Sequence, residues 1–210
     1  MTDFWTRLDA VRADRDVLRH PFYARWTRGE LSRRELALYA GEYRHAVVAI
    51  ADASSLAADR ADAAGAGDLR RHAAVERAHV ALWDRFAEAV HARPAPTPAP
   101  ETAECVAAWA DRDGDLLDQL ATLYAIEAAQ PAISAAKRDG LTSFYGIEPG
   151  PATSYFDVHA ELDRRHAADG RQLIAARLTG DRADGLLDRA RAALEGNWRL
   201  LDGVERLAAA

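Results

Sequence analysis

The chain has 210 residues, 49% of them hydrophobic and 29% charged, with a net charge of −6. That length suits one domain over residues 1–210, and an acidic balance with interspersed signs offers no basic footprint for nucleic acid. The single cysteine, Cys105, excludes an intrachain disulfide framework and a cysteine-rich zinc site. The N-terminus is charged at Asp3 and Arg7 with no apolar run behind it, so no signal peptide is expected. No stretch approaches the roughly 18 apolar residues that span a bilayer, so the expected setting is cytoplasmic, with no membrane partner.

Hydrophobic periodicity reads as helix nearly throughout, with no strand pattern and no internal repeat. A first helix is expected over about 3–18, broken at His20-Pro21, and a short one from Pro21 to about Arg28. Ser32 and Glu35 form a capping box that opens a long helix to about Arg60. Gly65 and Gly67 punctuate the chain before a helix from Asp68 to about His91. The run Pro94-Ala-Pro-Thr-Pro-Ala-Pro100 cannot be helical and reads as an extended connector. A helix over about 101–111 follows, then one from Asp115 to Arg138 that contains Pro131. Proline has no N–H for the carbonyl four residues earlier, so that helix should bend there, and Gly140 should end it. Ser143 to Pro151 reads as a loop. Helices over about 152–178 and 184–208 complete an all-α bundle of seven to eight helices.

The chemistry-bearing residues gather on three of these helices. His159, Asp163 and His166 stand at i, i+4 and i+7, so they form one stripe two turns long. Imidazole and carboxylate in such a row suit a divalent transition metal. Glu76 and His79 form a Glu-x-x-His pair, whose spacing lets both side chains reach the same metal site. Glu127 lies in an apolar stretch ending at Pro131, where a buried carboxylate needs a cation or donors. Three carboxylates and three imidazoles suffice for two metal ions with open positions.

Each part alone has an ordinary explanation. Helix histidines are mostly surface or satisfied core residues, and Glu-x-x-His pairs recur by chance. Competing donors exist as well. Glu42 and His45 form a second such pair that would permit a ferritin-like arrangement, and His72 could replace or supplement Glu76 on the face of His79. His20 reads as a turn residue and His91 as a helix-end cation. Lys137 is the only lysine among 27 basic residues. A GC-rich genome explains the bias, yet arginine cannot stand in where an amine must lose its proton or react. The ordinary reading of Lys137 is a solvated residue near a helix C-terminus, and that of Tyr23 a core aromatic beside Trp26.

Several stretches together resemble the heme-oxygenase-like diiron oxidases, which are related to the TenA and PqqC proteins. They are His20 to Ser32 (HPFYARWTRGELS), Leu38 to Tyr43, His79-Val-Ala-Leu-Trp83, Tyr124 to Pro131, Lys137 to Ile147, and the stripe Tyr155 to His166. The first motif is shared widely with TenA-like proteins; the stripe with Glu127 is the more specific part. Within that group the chain is most similar to the CADD-like branch, which makes p-aminobenzoate from its own tyrosine with a lysine implicated. The resemblance implies Glu76, His79, Glu127, His159, Asp163 and His166 as ligands of two iron ions, with manganese or a mixed Fe/Mn pair as alternatives. It further implies O2 as cosubstrate, an external reductant, Tyr23 as the sacrificed residue and Lys137 as candidate amine donor. Tyr39, Tyr43 and Tyr155 match other tyrosines of the branch. One difference is the short Glu76-x-x-His79 spacing, which other diiron oxidases of the fold also use. The remaining readings are oxidation of an external small molecule, such as an amino acid or fatty acid, and a non-catalytic helical binding protein. Relatives of this fold often pair, so a homodimer is a further expectation.

Overall fold

Two capping boxes fix where long helices begin. Ser32 accepts from the Glu35 N–H while the Glu35 carboxylate accepts from the Ser32 N–H, and Asp115 and Asp118 make the same exchange. The computed structural model describes residues 2–62, 65–93 and 95–210; Met1, and Pro94 at the head of the proline-rich connector, lie outside the described residues. Among the described residues there are nine α-helices, two short 3-10 segments and no strand. The helices are α1 (Thr2–Asp14), α2 (Pro21–Trp26), α3 (Arg33–Asp59), α4 (Ala66–Ala89), α5 (Pro100–Trp109), α6 (Leu116–Glu127), α7 (Gln130–Phe144), α8 (Ser154–Arg177) and α9 (Ala183–Ala209).

The bundle is all-α as the periodicity requires, with three local corrections. First, α1 stops at Asp14, because Asp16 caps a separate 3-10 turn over Val17–Arg19 by accepting from the Leu18 N–H. Second, the helix expected over 115–138 is two helices. Pro131 lies in the first turn of α7, where its missing N–H costs nothing, so the proline starts a helix instead of bending one. Third, α7 continues through Gly140 to Phe144. That glycine is where α7 meets the Trp26 ring, since a Cβ there would lie 2.5 Å from Trp26 Cδ1. With the helix running on to Phe144, Lys137 sits mid-helix and 1% exposed, not in a solvated last turn.

Helix α3 packs along α4, α7 along α8 and α5 along α9, while α6 sits against α3, α8 and α9. The larger apolar cluster contains Trp26, Tyr39, Tyr43, Trp83, Phe86 and Phe156; a second joins Phe4, Trp5 and Leu8 of α1 to Leu120 of α6 and Leu186 of α9. Three fully buried tryptophans each donate their indole N–H to a carbonyl on a neighbouring helix: Trp83 to Ala40, Trp109 to Ala193 and Trp26 to Lys137. Such aromatic anchors bury large apolar area while leaving no polar atom unpaired, which fixes the helices relative to one another. Among the described residues no helix is long and apolar enough to cross a membrane.

Candidate metal centre

Helix α4 presents His72, Glu76 and His79 along one stripe, α8 presents His159, Asp163 and His166, and α6 ends at Glu127. These stripes converge in the interior: Glu76, His79, Glu127, His159 and Asp163 are each at most 4% exposed. All six residues expected from the sequence are therefore in one place, with His72 as a seventh. The Glu42/His45 pair is employed elsewhere. Glu42 accepts from the Ala99 N–H and His45 Nε2 lies 3.1 Å from the Ala95 carbonyl, so both tie down the proline-rich connector. His20 is a turn residue, as expected: its Nδ1 accepts from the Phe22 N–H at the head of α2, and its Nε2 faces Asp202 at 3.1 Å.

Glu76 is the pivot. Its Oε2 faces His79 Nδ1 at 3.3 Å and His159 Nε2 at 3.9 Å. Its Oε1 faces His72 Nε2 at 3.6 Å and His166 Nδ1 at 3.7 Å. Glu127 Oε1 lies 2.9 Å from His72 Nε2. One donor atom from each of His72, Glu76, Glu127 and His166 falls within 4.8 Å of the others, and the same holds for Glu76, His79 and His159. Ligands about 2 Å from an ion lie roughly 3 to 4 Å from one another, so each group has the dimensions of one metal site. The two groups share a carboxylate with one oxygen turned to each. Asp163 belongs to neither group by this measure; its Oδ1 is 3.4 Å from His166 Nδ1.

The donor atoms fit a metal for a second reason. Glu76 Oε1, Glu127 Oε1, His72 Nε2, His159 Nε2, His166 Nδ1 and both Asp163 oxygens are buried and make no hydrogen bond among the described residues. Burial opposes charge on Glu76, yet the imidazoles of His159, His72 and His79 hold its carboxyl well below the usual carboxylate range. Burial likewise opposes charge on His72, but Glu127 and Glu76 raise its pKa to about 10. Burial pushes the Glu127 carboxyl up. Three carboxylates in one interior demand positive charge, which protons on imidazole or metal cations supply.

Behind His159 stands an element the spacing of residues could not place. Its Nδ1 lies 2.6 Å from the Tyr155 carbonyl, which leaves Nε2 to face the site, and the Tyr155 ring stacks on the imidazole at 4.0 Å. Tyr155 touches Trp83 (4.8 Å between centroids), and Trp83 touches Tyr43 (5.0 Å). Tyr43 contacts Tyr39 at 5.2 Å, and the Tyr39 and Tyr23 hydroxyls are hydrogen-bonded at 2.7 Å. An unbroken aromatic path thus joins the centre to Tyr23. The four-residue spacings of Tyr155 with His159 and of Tyr39 with Tyr43 are its traces in the sequence.

On the other side, a cavity of about 280 Å³ meets the centre. It is lined by His72, Glu127 and His166, with apolar walls that include Leu120, Leu123 and Leu173.

A helical bundle enclosing a buried carboxylate–imidazole cluster has the makings of a metal-binding protein. A solved structure from Shewanella denitrificans, a domain of unknown function with a heme oxygenase-like fold, superposes with a TM-score of 0.80 at 17% identity, covering 99% of this chain and 91% of that one. Residues 44–198 match the model of the iron-containing redox enzymes. This chain belongs to that family and is an oxidoreductase whose metal is iron. It is similar to the 4-aminobenzoate synthase of Nitrosomonas europaea, 32% identical over 96% of this chain and 90% of the relative. It is similar also to the 4-aminobenzoate synthase of Chlamydia trachomatis, 29% identical over 95% of this chain and 91% of the relative.

Proposed function

We propose that this protein is an O2-dependent diiron oxidase that consumes its own Tyr23 to form 4-aminobenzoate, with Lys137 as amine donor. Glu76, His79, Glu127, His159, Asp163 and His166 would hold the iron, and Glu76 turns one oxygen to each of the two donor groups. The observation that carries the reading is the surroundings of Lys137. This only lysine is 1% exposed, and its Nζ has no hydrogen-bond partner among the described residues. It lies 4.5 Å from the ring centre of Tyr43, 5.2 Å from that of Tyr23 and 5.4 Å from that of Tyr39, with Trp83 and Phe156 closing the cage. Burial lowers its pKa to about 7, which favours a free, nucleophilic amine near neutral pH.

Iron, when bound, supplies one-electron oxidation with O2 as terminal oxidant and an external reductant completing the electron count. The protein's own residues supply the rest. Tyrosine carries Cβ para to its oxygen, and 4-aminobenzoate carries its carboxyl carbon para to nitrogen. The conversion therefore breaks the Tyr23 Cα–Cβ bond, oxidises Cβ to carboxylate with oxygen from O2 or water, and exchanges ring C–O for C–N. The phenol oxygen leaves as water, and the Lys137 Cε–Nζ bond is broken to release the nitrogen. Burial pushes the Tyr23 and Tyr39 phenols well above their ordinary pKa, so Tyr23 enters as a neutral phenol. Losing an electron, it must shed a proton, and the Tyr39 hydroxyl at 2.7 Å is placed to relay it, passing its own proton onward to a base as it takes the one from Tyr23. The choice of Tyr23 over Tyr43 rests on its place in the His20–Ser32 motif, and relatives named 4-aminobenzoate synthase support the product.

The test is protein grown with ring-labelled 13C-tyrosine, loaded with Fe(II), then given reductant and O2. Expected are labelled 4-aminobenzoate at no more than one molecule per chain and a matching loss of intact mass at Tyr23. Tyr23→Phe and Lys137→Arg should yield none, whereas Tyr43→Phe should still release product. Unlabelled product, or more than one per chain, removes self-sacrifice and favours the second reading, oxidation of an external small molecule. The cavity of about 280 Å³ against His72, Glu127 and His166 is the observation behind that alternative.

A further inference from the structure

We infer that His72 is itself a metal ligand: with Glu127 and His166 it completes a pocket-facing subsite that shares Glu76 with an enclosed subsite of His79 and His159. The inference rests on the metal-centre reading above and extends its ligand set from six donors to seven.

His72 lies one turn before Glu76 on α4, so its imidazole projects onto the same stripe. Its Nε2 is 2.9 Å from Glu127 Oε1 and 3.6 Å from Glu76 Oε1, and its ring centre is 4.2 Å from that of His166. Four donor atoms on three helices thus aim at one point. The simpler role, an ion pair with Glu127, leaves Glu76 Oε1 and His166 Nδ1 unanswered, and both are buried without hydrogen bonds among the described residues. An unsatisfied buried polar group is costly, and one cation satisfies all four atoms together. A cation also removes the conflict of two imidazoles packed side by side. Two nitrogens and two carboxylate oxygens suit iron better than the three-donor, carboxylate-dominated set left without His72.

The two subsites differ in access. The side chains of His72 and His166 are 13% and 15% exposed, whereas those of His79 and His159 are 5% and 3%. The cavity of about 280 Å³ is lined by His72, Glu127 and His166 and by none of His79, His159 or Asp163. The ion held by His72 is therefore the one that incoming molecules meet, and the one that exchanges with solvent first.

The experiment is an anaerobic Co(II) titration of the full chain, read by calorimetry and by visible absorption, for wild type, His72→Ala, His72→Gln and His79→Ala. Wild type should bind two ions per chain. Both His72 variants should keep one ion at wild-type affinity and bind the second at least about 10-fold more weakly. Free imidazole should restore the second ion in His72→Ala, a rescue that a purely structural ion pair would not produce. Circular dichroism checks that each variant folds, and His72→Gln decides if the alanine variant does not. Two ions at wild-type affinity in a folded His72 variant would overturn the inference and leave the centre intact. Wild type that takes up no Co(II), or His79→Ala that binds like wild type, would instead bring down the metal-centre reading.

Discussion

The metal centre and the Lys137 cage both bury ionisable groups, and they handle charge in opposite ways. Around Glu76, four imidazoles and three carboxylates face one another, so each charge has an opposing one within about 4 Å. Around Lys137 there are five aromatic rings, and its Nζ meets no carboxylate among the described residues. The first arrangement sets carboxylates against imidazoles, so that the charge of Glu76 and of His72 is offset by a neighbour. The second makes the charged state costly and so frees the amine. A Tyr155–Trp83–Tyr43 contact path joins the two.

The largest effect should come from breaking the charge-rich side at its pivot. Glu76→Ala removes the only carboxylate turned toward both donor groups, so metal analysis after Fe(II) loading should find neither ion retained. His72→Ala, by contrast, should spare one. If Glu76→Ala keeps two ions, the shared-carboxylate geometry is wrong. The Lys137 amine should be little affected, because burial lowers its pKa and its Nζ has no hydrogen-bond partner among the described residues.

The next effect breaks the other side. The folded pKa of Lys137 is about 7 against an ordinary value of 10.5, so between those pH values the unfolded chain binds more protons than the native one. Stability contributed at this site therefore rises with pH over that window, and the penalty is full below pH 7 and gone above about 10.5. Lys137→Met, which keeps the shape and drops the charge, should stabilise the protein by on the order of 4 kcal/mol at pH 7. The gain should fade toward pH 10.5 in urea denaturation at several pH values. A pH-independent gain would mean that packing, not protonation, separates the two variants.

How far each region could be read beforehand follows from what each depends on. The stripe His159, Asp163, His166 and the pair Glu76, His79 follow from helical spacing alone, which is why all of them reach the centre. Glu127 was legible as a carboxylate in an apolar run. The partner of His72 was not, because the meeting with Glu127 depends on how α4 packs beside α6. The cage was hidden for a similar reason. Taken as the end of one helix from Asp115 to Arg138, Lys137 looks solvated. Pro131 restarts the helix, α7 runs to Phe144, and the lysine falls in its buried middle. Helical spacing pairs Tyr39 with Tyr43 and Tyr155 with His159, but it does not show that the path crosses between helices at Tyr43, Trp83 and Tyr155.

The smallest effect tests how tightly the cage wall is set. Trp26 reaches across to α7 and donates its indole N–H to the Lys137 carbonyl at 3.1 Å. It can lie that close because residue 140, less than one turn further on, has no side chain: a Cβ there would stand 2.5 Å from Cδ1 and 2.6 Å from Nε1 of the indole. Gly140→Ala gains about 1 kcal/mol of helix propensity but forces the ring or α7 to shift, at a cost of roughly 1–3 kcal/mol for an overpacked core. The ring is buried and hydrogen-bonded to the same helix, so it cannot swing into solvent and the shift must move the cage. The expected outcome is a net loss of up to about 2 kcal/mol in chemical denaturation, with unchanged metal uptake and a slower release of product. Unchanged stability and product release would show that the indole yields without strain, and that the position of Lys137 is held by the remaining rings instead.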